Sequence, residues 1–536
     1  MALALALAAP TLVCAQSGSL VDRDRVDRRP PAEAEPAPAA PEAAAPQRGS
    51  VHVEAEGAGA PLRAVRVEGS SLPGEAFEAA VAPLAGRPLT RELAAQAAQA
   101  VAKVYEASPV ALYSIVVPQQ DLSDGRLRVA VIEGRIGEAV VTGATEARAA
   151  GLVRAYAGRL EAERPLSRRG LERYLSLSRD IPGVKVTPRI QAGAEPGTAR
   201  LELEVDPRRY DFELSVGTQG SALLGRTQLQ ADLNLYSALR PGDHTRLTLG
   251  APTDFERYRL VALTHAQPVG ADGLRVQASA GQLRTRPKSQ PIRGRATFAG
   301  VQASYPVIRG YRQDLYLVGA LDGLDSDNAV LGQTITSERT RAARASAAWS
   351  RSGKTYAASA SATASFGLRG LGARPQPGYS DPGFRKLNLR AGYDRALDER
   401  WTVRLRAAGQ ATPDTLPTSE QFAIGGEQFG RAFEQARATG DHGYGASAEV
   451  AWKPKAVPAE LKGTEVYAFV DGARTVQESR YGRDKRTYEA ASAGAGLRLA
   501  YRSETSVGLE AAYGVKDPRT GDEGAWRLNF ALSTRR

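Results

Sequence analysis

The residues whose types could support catalysis or metal binding are few, and their spacing favours neither chemistry. Ser352-Gly-Lys-Thr355 resembles the end of a phosphate-binding loop, but Ala348 stands where the first glycine of that motif belongs. Strand-like stretches flank the segment, so we predict a hairpin turn there. The four histidines are too far apart in the chain to predict shared metal ligation; they are His52, His244, His265 and His442.

Other catalytic signatures are missing from the sequence. No G-x-S-x-G motif, which would position a nucleophilic serine, occurs in the chain. No spaced pair of carboxylates stands apart from the ordinary charged residues, and the single cysteine, Cys14, lies near the amino terminus. We therefore predict that the protein is not an enzyme and that it uses no metal and no cofactor.

The chain is basic, with 70 Lys and Arg against 59 Asp and Glu and a net charge of +11. Such a charge is compatible with nucleic acid or anionic lipid as a partner. The arginines are spread along the chain, however, and are not gathered into a block. Solvated and lumen-lining arginines explain this distribution better, and we predict no nucleic-acid partner.

From Asp206-Pro207 onward, apolar and polar residues alternate with a period of two. One apolar set of this kind is Tyr444, Ala446, Ala448, Val450 and Trp452. Alternation of this kind is typical of β-strands with one apolar face. By itself it fits a soluble sandwich as well as a membrane barrel.

Three features favour the membrane barrel. Aromatic residues lie at strand ends, where a barrel meets the two membrane interfaces. Lipid cannot hydrogen-bond a sheet edge, so a sheet that spans a membrane must close. The 536 − 206 = 330 residues give each of sixteen strands about 21 residues for a membrane strand and its turn. We predict an all-β transmembrane barrel of about sixteen antiparallel strands at residues 207–536.

Two shorter units precede the predicted barrel. Residues 60–136 and 137–206 each show the order strand, helix, helix and strand pair, with Thr90 as a helix N-cap and Asp124-Gly125 as a hairpin turn in the first. We predict two small α+β domains, each of a size that can fold on its own.

The amino-terminal segment has the composition of a targeting signal and a spacer. Residues 1–15 are apolar and end in small residues, which predicts a signal peptide cleaved after Ala15. Cys14 as a lipoprotein cysteine is the alternative. Residues 16–59, including a Pro/Ala/Glu tract at 30–46, are predicted to be a linker.

The first domain carries a recognisable motif: Val117-Pro-Gln-Gln-Asp121, then Asp124-Gly125, then Val131-Ile-Glu-Gly-Arg-Ile136. This resembles the polypeptide-transport-associated (POTRA) domain of the ShlB/FhaC/HecB family of two-partner secretion transporters. The resemblance implies that the POTRA motif helps to capture an exported protein. Its residues here are Pro118, Gln120, Asp121, Asp124, Gly125, Glu133 and Gly134.

A second motif lies in the predicted barrel: Leu416-Pro417, Ser419-Glu-Gln421, Ile424-Gly425-Gly426, Phe429-Gly-Arg-Ala-Phe433 and Gly440-Asp441. It is similar to the family's sixth extracellular loop, which folds back into the barrel. The resemblance makes Gly430, Arg431, Ala432 and Phe433 the loop tip and pairs Arg431 with Asp471 as a latch. Ala432 departs from the family's glycine. A pair that only helps the barrel to assemble is the alternative to the latch.

The resemblance implies a translocation pore of type V secretion in the outer membrane of a Gram-negative bacterium. Its two POTRA domains would lie in the periplasm and bind the secretion domain of a large partner exoprotein of the haemolysin or adhesin type. Outer-membrane lipid and the barrel-assembly machinery would be further partners. In the family a short helix plugs the pore, and Ser17–Arg29 is the candidate here.

Two other functions stay open at this point. The first is an assembly or insertion factor for outer-membrane proteins from the same superfamily, although such factors carry more POTRA domains. The second is a passive porin, which would explain the barrel but not the two preceding domains.

Overall fold

The computed structural model describes residues 49–55, 59–331, 333–455, 457–461, 463–480, 482–502, 504–522, 524 and 526–536. The predicted signal peptide and the candidate plug helix Ser17–Arg29 lie outside these residues. Within the described ranges the chain forms two small α+β domains followed by a β-barrel. None of the helices found there is long and apolar enough to cross a membrane.

The first domain packs two helices against a four-stranded sheet. Its elements are β1 (Gly49–Val53), β2 (Ala64–Glu68), α1 (Gly74–Val81), α2 (Arg91–Ala107), β3 (Tyr113–Val117) and β4 (Arg126–Glu133). The strand order in the sheet is β1-β3-β4-β2. Thr90 caps α2 as predicted, because its side-chain oxygen accepts a hydrogen bond from the Leu93 N–H at 3.3 Å. Tyr105 of α2 is fully buried against Ile115 and Leu127 of the sheet.

Strand β1 lies in the segment predicted to be linker, and that boundary was wrong. The strand pairs in parallel with β3, from Gly49 opposite Tyr113 to Val53 opposite Val117. Val51 packs against the domain core. The Pro/Ala/Glu composition before residue 49 concealed this short alternating stretch, so the first domain includes residues from 49 onward and not only from 60.

The second domain repeats the plan. Its elements are β5 (Arg135–Gly143), α3 (Arg148–Ala162), α4 (Arg168–Arg179), β6 (Val184–Ala192) and β7 (Thr198–Pro207), with the sheet order β5-β7-β6. Gly134 joins the two domains with no intervening linker: its N–H donates to the Leu112 carbonyl at 2.8 Å and its carbonyl accepts from the Leu166 N–H. A Cβ at Gly134 would lie 2.7 Å from the Leu112 Cβ, so only glycine fits this junction.

Sixteen antiparallel strands of the described chain close into a barrel, as the alternation predicted. They are β8 (Tyr210–Gly217), β9 (Gln228–Tyr236), β10 (His244–Pro252), β11 (Tyr258–Val269), β12 (Leu274–Thr285), β13 (Ile292–Arg309), β14 (Gln313–Val330), β15 (Gln333–Ser352), β16 (Tyr356–Gly367), β17 (Arg385–Ala396), β18 (Trp401–Ala411), β21 (His442–Trp452), β22 (Glu465–Gln477), β23 (Arg486–Tyr501), β24 (Thr505–Lys516) and β25 (Trp526–Arg535). The hairpin β19 (Phe422–Ile424) and β20 (Ala438–Gly440) lies between β18 and β21. Ser352-Gly-Lys-Thr355 turns the chain from β15 into β16, as predicted.

The barrel places apolar side chains outside and polar side chains inside. Leu263 and Val470 are 51% and 57% exposed on the outer wall, whereas Arg344 and Glu449 are each 4% exposed on the inner wall. A soluble sandwich would bury its apolar face. The observed arrangement is the one that a barrel wall in contact with lipid requires.

Helix α4 of the second domain fixes one end of the barrel. Arg173 donates to the Asp272 carbonyl oxygen in the short turn between β11 and β12, and to the Pro306 carbonyl oxygen near the end of β13, beside the short turn into β14, each at 2.7 Å. Asp180 accepts two hydrogen bonds from Arg309, at 2.6 and 2.7 Å. The domains therefore lie at the end with these short turns, and the loop that carries β19 and β20 belongs to the opposite end.

Candidate functional site: a loop folded into the barrel

The sixth loop, residues 412–441, runs from β18 to β21 and folds into the barrel lumen. Its base is fixed by Asp441, which is fully buried. The Asp441 carboxylate accepts hydrogen bonds from the backbone N–H groups of Leu416 (2.7 Å) and Glu478 (2.9 Å) and forms an ion pair with Arg480. One carboxylate thereby joins both ends of the sixth loop to the neighbouring loop after β22.

The tip of the sixth loop is held through its backbone. Asp471 of β22 accepts hydrogen bonds from the N–H of Gly430 at 2.5 Å and the N–H of Arg431 at 3.4 Å. The Ser492 hydroxyl donates to the same carboxylate at 2.7 Å. Gly430 has φ = +81°, a left-handed conformation that glycine adopts without strain, so the tip needs glycine at this position.

The predicted side-chain pair between Arg431 and Asp471 was wrong. The Arg431 Nη1 lies 3.3 Å from Glu449 Oε2 and 3.1 Å from Glu510 Oε2. Its guanidinium carbon also lies 4.2 Å from the centre of the Phe469 ring, a cation–π contact. Because the tip backbone already occupies Asp471, the long arginine side chain reaches past it to the glutamates on β21 and β24.

Glu449 belongs to a larger cluster of alternating charges on the inner wall. Arg498 lies 2.6 Å from Glu449, and Arg404 contacts both Glu449 and Glu465 at 2.8 Å. Arg431 contacts the cluster through Nη1 only, and among the described residues its Nε has no hydrogen-bond partner. The Arg431 side chain thus makes two hydrogen bonds to glutamates of the inner wall, whereas Arg404 and Arg498 make three each.

A second anchor, which sequence reasoning missed, holds the other side of the sixth loop. Glu420 is 1% exposed and makes a bidentate ion pair with Arg344 of β15, at 2.8 and 3.0 Å. Lys386 of β17 adds a contact at 2.9 Å, and Asp322 of β14 also binds Arg344 at 2.6 Å. Glu420 and Arg344 thus form a buried, bidentate arginine–carboxylate pair, in which the planar guanidinium fixes the geometry.

A signal for this anchor was present in the sequence. Glu420 lies inside the Ser419-Glu-Gln421 motif, and Arg344 is a charged residue at an inward position of an alternating strand. What the sequence could not supply was the distance in space between two residues 76 positions apart.

Ala432, which stands where the family motif has glycine, fits the structure of the loop tip. Ala432 is buried and does not have a positive φ, so its Cβ causes no backbone strain. Phe433 packs beside Gly514 of β24, where a Cβ would lie 2.8 Å from the ring. The tip is thus shaped by Gly430, and the departure at Ala432 leaves it intact.

The residues of the POTRA motif lie together in the first domain, but their contacts are internal. Gln120 exchanges two hydrogen bonds with the backbone of Arg128, at 2.7 and 2.8 Å, and donates to the Pro118 carbonyl at 3.1 Å. The N–H and hydroxyl of Ser123 bond to Asp121 and hold the pKa of that carboxyl below its ordinary value. These contacts brace the β3–β4 hairpin.

The other motif residues complete the turn and the domain junction. Asp124 accepts from the Arg126 N–H at 2.9 Å, and Gly125 has φ = +72°, as the predicted hairpin turn requires. Glu133 accepts hydrogen bonds from the Ser71 N–H (2.8 Å) and the Tyr105 hydroxyl (2.8 Å). Burial raises the pKa of Tyr105, which stays protonated as a donor. These contacts show that the motif stabilises the β3–β4 hairpin and the domain junction, and a role of the same residues in capture stays a prediction.

The sixth loop does not fill the lumen. A cavity of about 1700 Å³ runs from Asp180 and Arg309, beside the second domain, to Glu427 and Arg431 in the sixth loop. Within the described ranges, no group of three or more His, Cys, Asp or Glu side chains has the arrangement of a metal site. The site is thus a water-accessible channel narrowed by a loop that ionic contacts hold in place.

Comparison with known protein families gives two matches. The family described as haemolysin secretion/activation protein ShlB/FhaC/HecB matches residues 197–499, more than half of the chain. The POTRA domain of ShlB type matches residues 60–134.

Individual relatives are distant. The outer membrane transporter CdiB of Dickeya dadantii (strain 3937) is 24% identical over 368 residues, 66% of this chain and 65% of that protein. The heme/hemopexin transporter protein HuxB of Haemophilus influenzae (strain ATCC 51907 / DSM 11121 / KW20 / Rd) is 20% identical over 363 residues, 65% of this chain and 64% of that protein. The matches thus span just under two thirds of the length of these relatives.

The fold has a close counterpart among solved structures. The structure of CdiB from Escherichia coli superposes with a TM-score of 0.72 over 98% of both chains, at 19% sequence identity. At this identity the likeness concerns the fold: two small domains followed by a sixteen-stranded barrel.

Proposed function

Because the chain belongs to the ShlB/FhaC/HecB family of haemolysin secretion/activation proteins, we propose that it is an outer-membrane pore that exports a large partner exoprotein by two-partner secretion. The observation that carries this proposal is the sixth loop, which narrows the lumen through ionic contacts at Glu420 and Arg431. A pore for small solutes has no need of two docked domains at its mouth.

The two small domains supply the entrance. In the sheet of the second domain, β6 pairs with β7 on one side only, so its other edge is open to an extended chain. Backbone hydrogen bonds along such an edge give affinity for an unfolded polypeptide with little demand on its sequence. Gly183, just before β6, lies against Tyr236 of the barrel. A partner paired with β6 is therefore delivered to the rim of the lumen.

The direction of transport follows from this placement. The domains lie in the periplasm, the partner enters unfolded at the short-turn end, and the sixth loop moves to widen the channel. Folding of the partner outside the cell prevents its return. Within the described residues no phosphate-binding loop or metal site is found, and the proposed cycle uses neither.

An assembly factor for other barrels is the second candidate, and one observation favours it. Strand β25 pairs with β8 over five residues, from Ala531 opposite Gly217 to Arg535 opposite Glu213, and backbone hydrogen bonds between Phe212 and Arg536 and between Thr218 and Phe530 continue the seam at its ends. The neighbouring β8–β9 pair extends over eight residues. A short closing seam is a place where a barrel wall can open sideways toward lipid.

Reconstitution distinguishes the candidates. The full-length protein is placed in liposomes that enclose a protease, with its two small domains facing the outside. Two unfolded substrates are offered at the domain side: a large exoprotein encoded beside this chain, and a small eight-stranded outer-membrane barrel. Export of the exoprotein into the protease compartment supports the proposal. Insertion of the small barrel without exoprotein export would establish the assembly factor, and passage of small solutes alone would establish a porin.

A further inference from the structure

Three arginines on the outer wall of the barrel are aligned across neighbouring strands. Arg259 of β11 lies opposite Arg284 of β12, and Arg284 lies opposite Arg295 of β13. All three are exposed and share the outward face with Val261 and Leu263. Side chains that face one another in this register are about 5 Å apart at Cβ, and like charges so placed repel each other.

No carboxylate among the described residues forms an ion pair with these three arginines. Arg259 donates only to the Phe255 carbonyl, at 3.2 Å, and Arg284 only to the Gln282 side chain, at 2.7 Å. Carboxylates of the second loop and of the facing strand β14 already bind other cations. Asp254 binds Arg257 and Lys288, Glu256 binds Lys288, and Asp327, which lies opposite Arg295, binds Arg339.

On the neighbouring strands of the same outer wall, the charged side chains neutralise one another in ion pairs within the protein. On β14 and β15, Asp327 binds Arg339 at 2.8 Å and Asp325 binds Arg341 at 2.7 Å. These four side chains neutralise one another on the outward face. In the arginine row, Arg295 lies opposite Asp327, which is bound to Arg339. Arg259 and Arg284 have no ion-pair partner among the described residues, so a counter-charge from outside the protein is needed to neutralise them.

The row lies at the edge of the apolar band. Arg295 and Tyr305 share the outward face of β13 and are ten residues apart, and Tyr305 lies at the end that contacts the second domain. Ten residues of a tilted barrel strand rise about 25 Å, which is the height of the band in contact with lipid. The arginines therefore lie at the interface remote from the two domains.

Two further arginines extend the basic surface past this edge. Arg286 follows β12 and Arg293 lies in β13, and both are exposed. The Arg286 N–H donates to the Arg257 carbonyl at 2.7 Å, which continues the sheet toward the second loop. The surface is thus a basic strip of Arg259, Arg284, Arg286, Arg293 and Arg295.

We propose that this basic strip binds the phosphate groups of a phosphorylated glycolipid in the leaflet of the membrane remote from the two domains. Guanidinium groups bind phosphate through paired, charge-assisted hydrogen bonds. An anionic headgroup at this height meets the arginines while its acyl chains cover Val261 and Leu263 below them. This site is independent of what the pore transports.

The test measures binding of a bisphosphorylated glycolipid of the lipid A type to the full-length protein in detergent. In the variant Arg284→Gln/Arg295→Gln, we expect binding to weaken by about 10- to 30-fold, since each cation near an anionic lipid surface contributes a factor of about 5 and the two factors multiply. The matched control is Arg351→Gln/Arg395→Gln, which removes two exposed arginines near the opposite end of the barrel. The control should bind as the unchanged protein does.

The same variant separates the proposed site from a structural role. Without glycolipid, removal of two mutually repelling charges should leave the thermal unfolding temperature unchanged or higher. With glycolipid, the unchanged protein should be stabilised more than Arg284→Gln/Arg295→Gln, and Arg284→Lys/Arg295→Lys should be intermediate. Equal binding by the two Gln variants would overturn the proposal. So would equal binding of the dephosphorylated glycolipid, or full competition by inorganic phosphate at the same concentration, which would indicate a site for free anions.

Discussion

The side chain of Arg431, in the tip of the sixth loop, makes few contacts with the barrel wall, so its separation from the wall costs little. It uses Nη1 alone toward Glu449 and Glu510, whereas Arg404 and Arg498 remain to compensate Glu449 if Arg431 is removed. We therefore expect Arg431→Ala to abolish export while the barrel stays inserted and closed. The measurement is secretion of the partner, with heat-modified mobility on gels as the readout for the barrel. Normal secretion by this variant would contradict the latch.

Glu420 is the opposite case, because its partners are buried with it. Glu420→Gln leaves Arg344 and Lys386 without their shared counter-charge, and removal of one member of a buried ion pair costs about 3 to 5 kcal/mol. We expect urea to unfold this variant at a clearly lower concentration in detergent. Glu427→Gln in the same loop is the matched control, since among the described residues Glu427 has no ion-pair partner and is exposed to the lumen. Equal stability of the two variants would refute the anchor.

The partners of these charged residues mark the limit of prediction from sequence at this scale. The family motif located Arg431, Gly430 and Asp471 correctly in one place. It predicted the wrong contact, between the Arg431 side chain and the Asp471 carboxylate. The backbone N–H groups of the tip bind this carboxylate instead, and the types of the residues do not reveal such backbone contacts. For Glu420 and Arg344 the sequence shows that their charges are opposite, but not that the two side chains are in contact.

The hairpin β19–β20 must move as a unit if the channel is to widen. A Cβ at Gly443 would lie 3.0 Å from the Phe422 Cβ, so Phe422→Cys/Gly443→Cys brings two thiols within reach of a disulfide after a small shift. We expect the oxidised double variant to block export and a reductant to restore it. The single variant Phe422→Cys under the same oxidant is the control. Undiminished export by the oxidised form would show that this hairpin stays in place during transport.

The elements themselves followed largely from the sequence. Period-two alternation predicted the barrel strands, and the repeated order of strands and helices predicted both domains, because these patterns record which face of each element is buried. Strand β1 escaped notice, since five residues beside a Pro/Ala-rich tract carry too short a pattern. Its place was decided by pairing with β3, a contact made across more than 60 positions.

At the scale of the whole molecule, the second domain and the barrel are joined by charged contacts. Asp180→Asn weakens the paired hydrogen bonds to Arg309, which keeps Asp314 as a partner. We expect this variant to release α4 from the barrel turns, with a broader distance distribution between spin labels on the second domain and on the barrel. Export should fall in parallel. Glu172→Gln on the same helix is a weaker perturbation, because its ion pair with Arg168 lies within the helix and its contact with the barrel is one long hydrogen bond from the Tyr311 N–H, at 3.4 Å. An unchanged distribution in Asp180→Asn would refute rigid docking.

The surroundings of Glu420 determine what happens after a passenger has left. Asp322 and Ser365 contact Arg344 independently of the sixth loop, at 2.6 and 2.9 Å. When the loop is displaced, Arg344 keeps its position and orientation. Its guanidinium group therefore remains placed to bind the Glu420 carboxylate again. The loop can then return to it by diffusion, without a chaperone or a chemical fuel. If the chain exports a partner as proposed, one pore is expected to reset itself and to serve many passengers in succession.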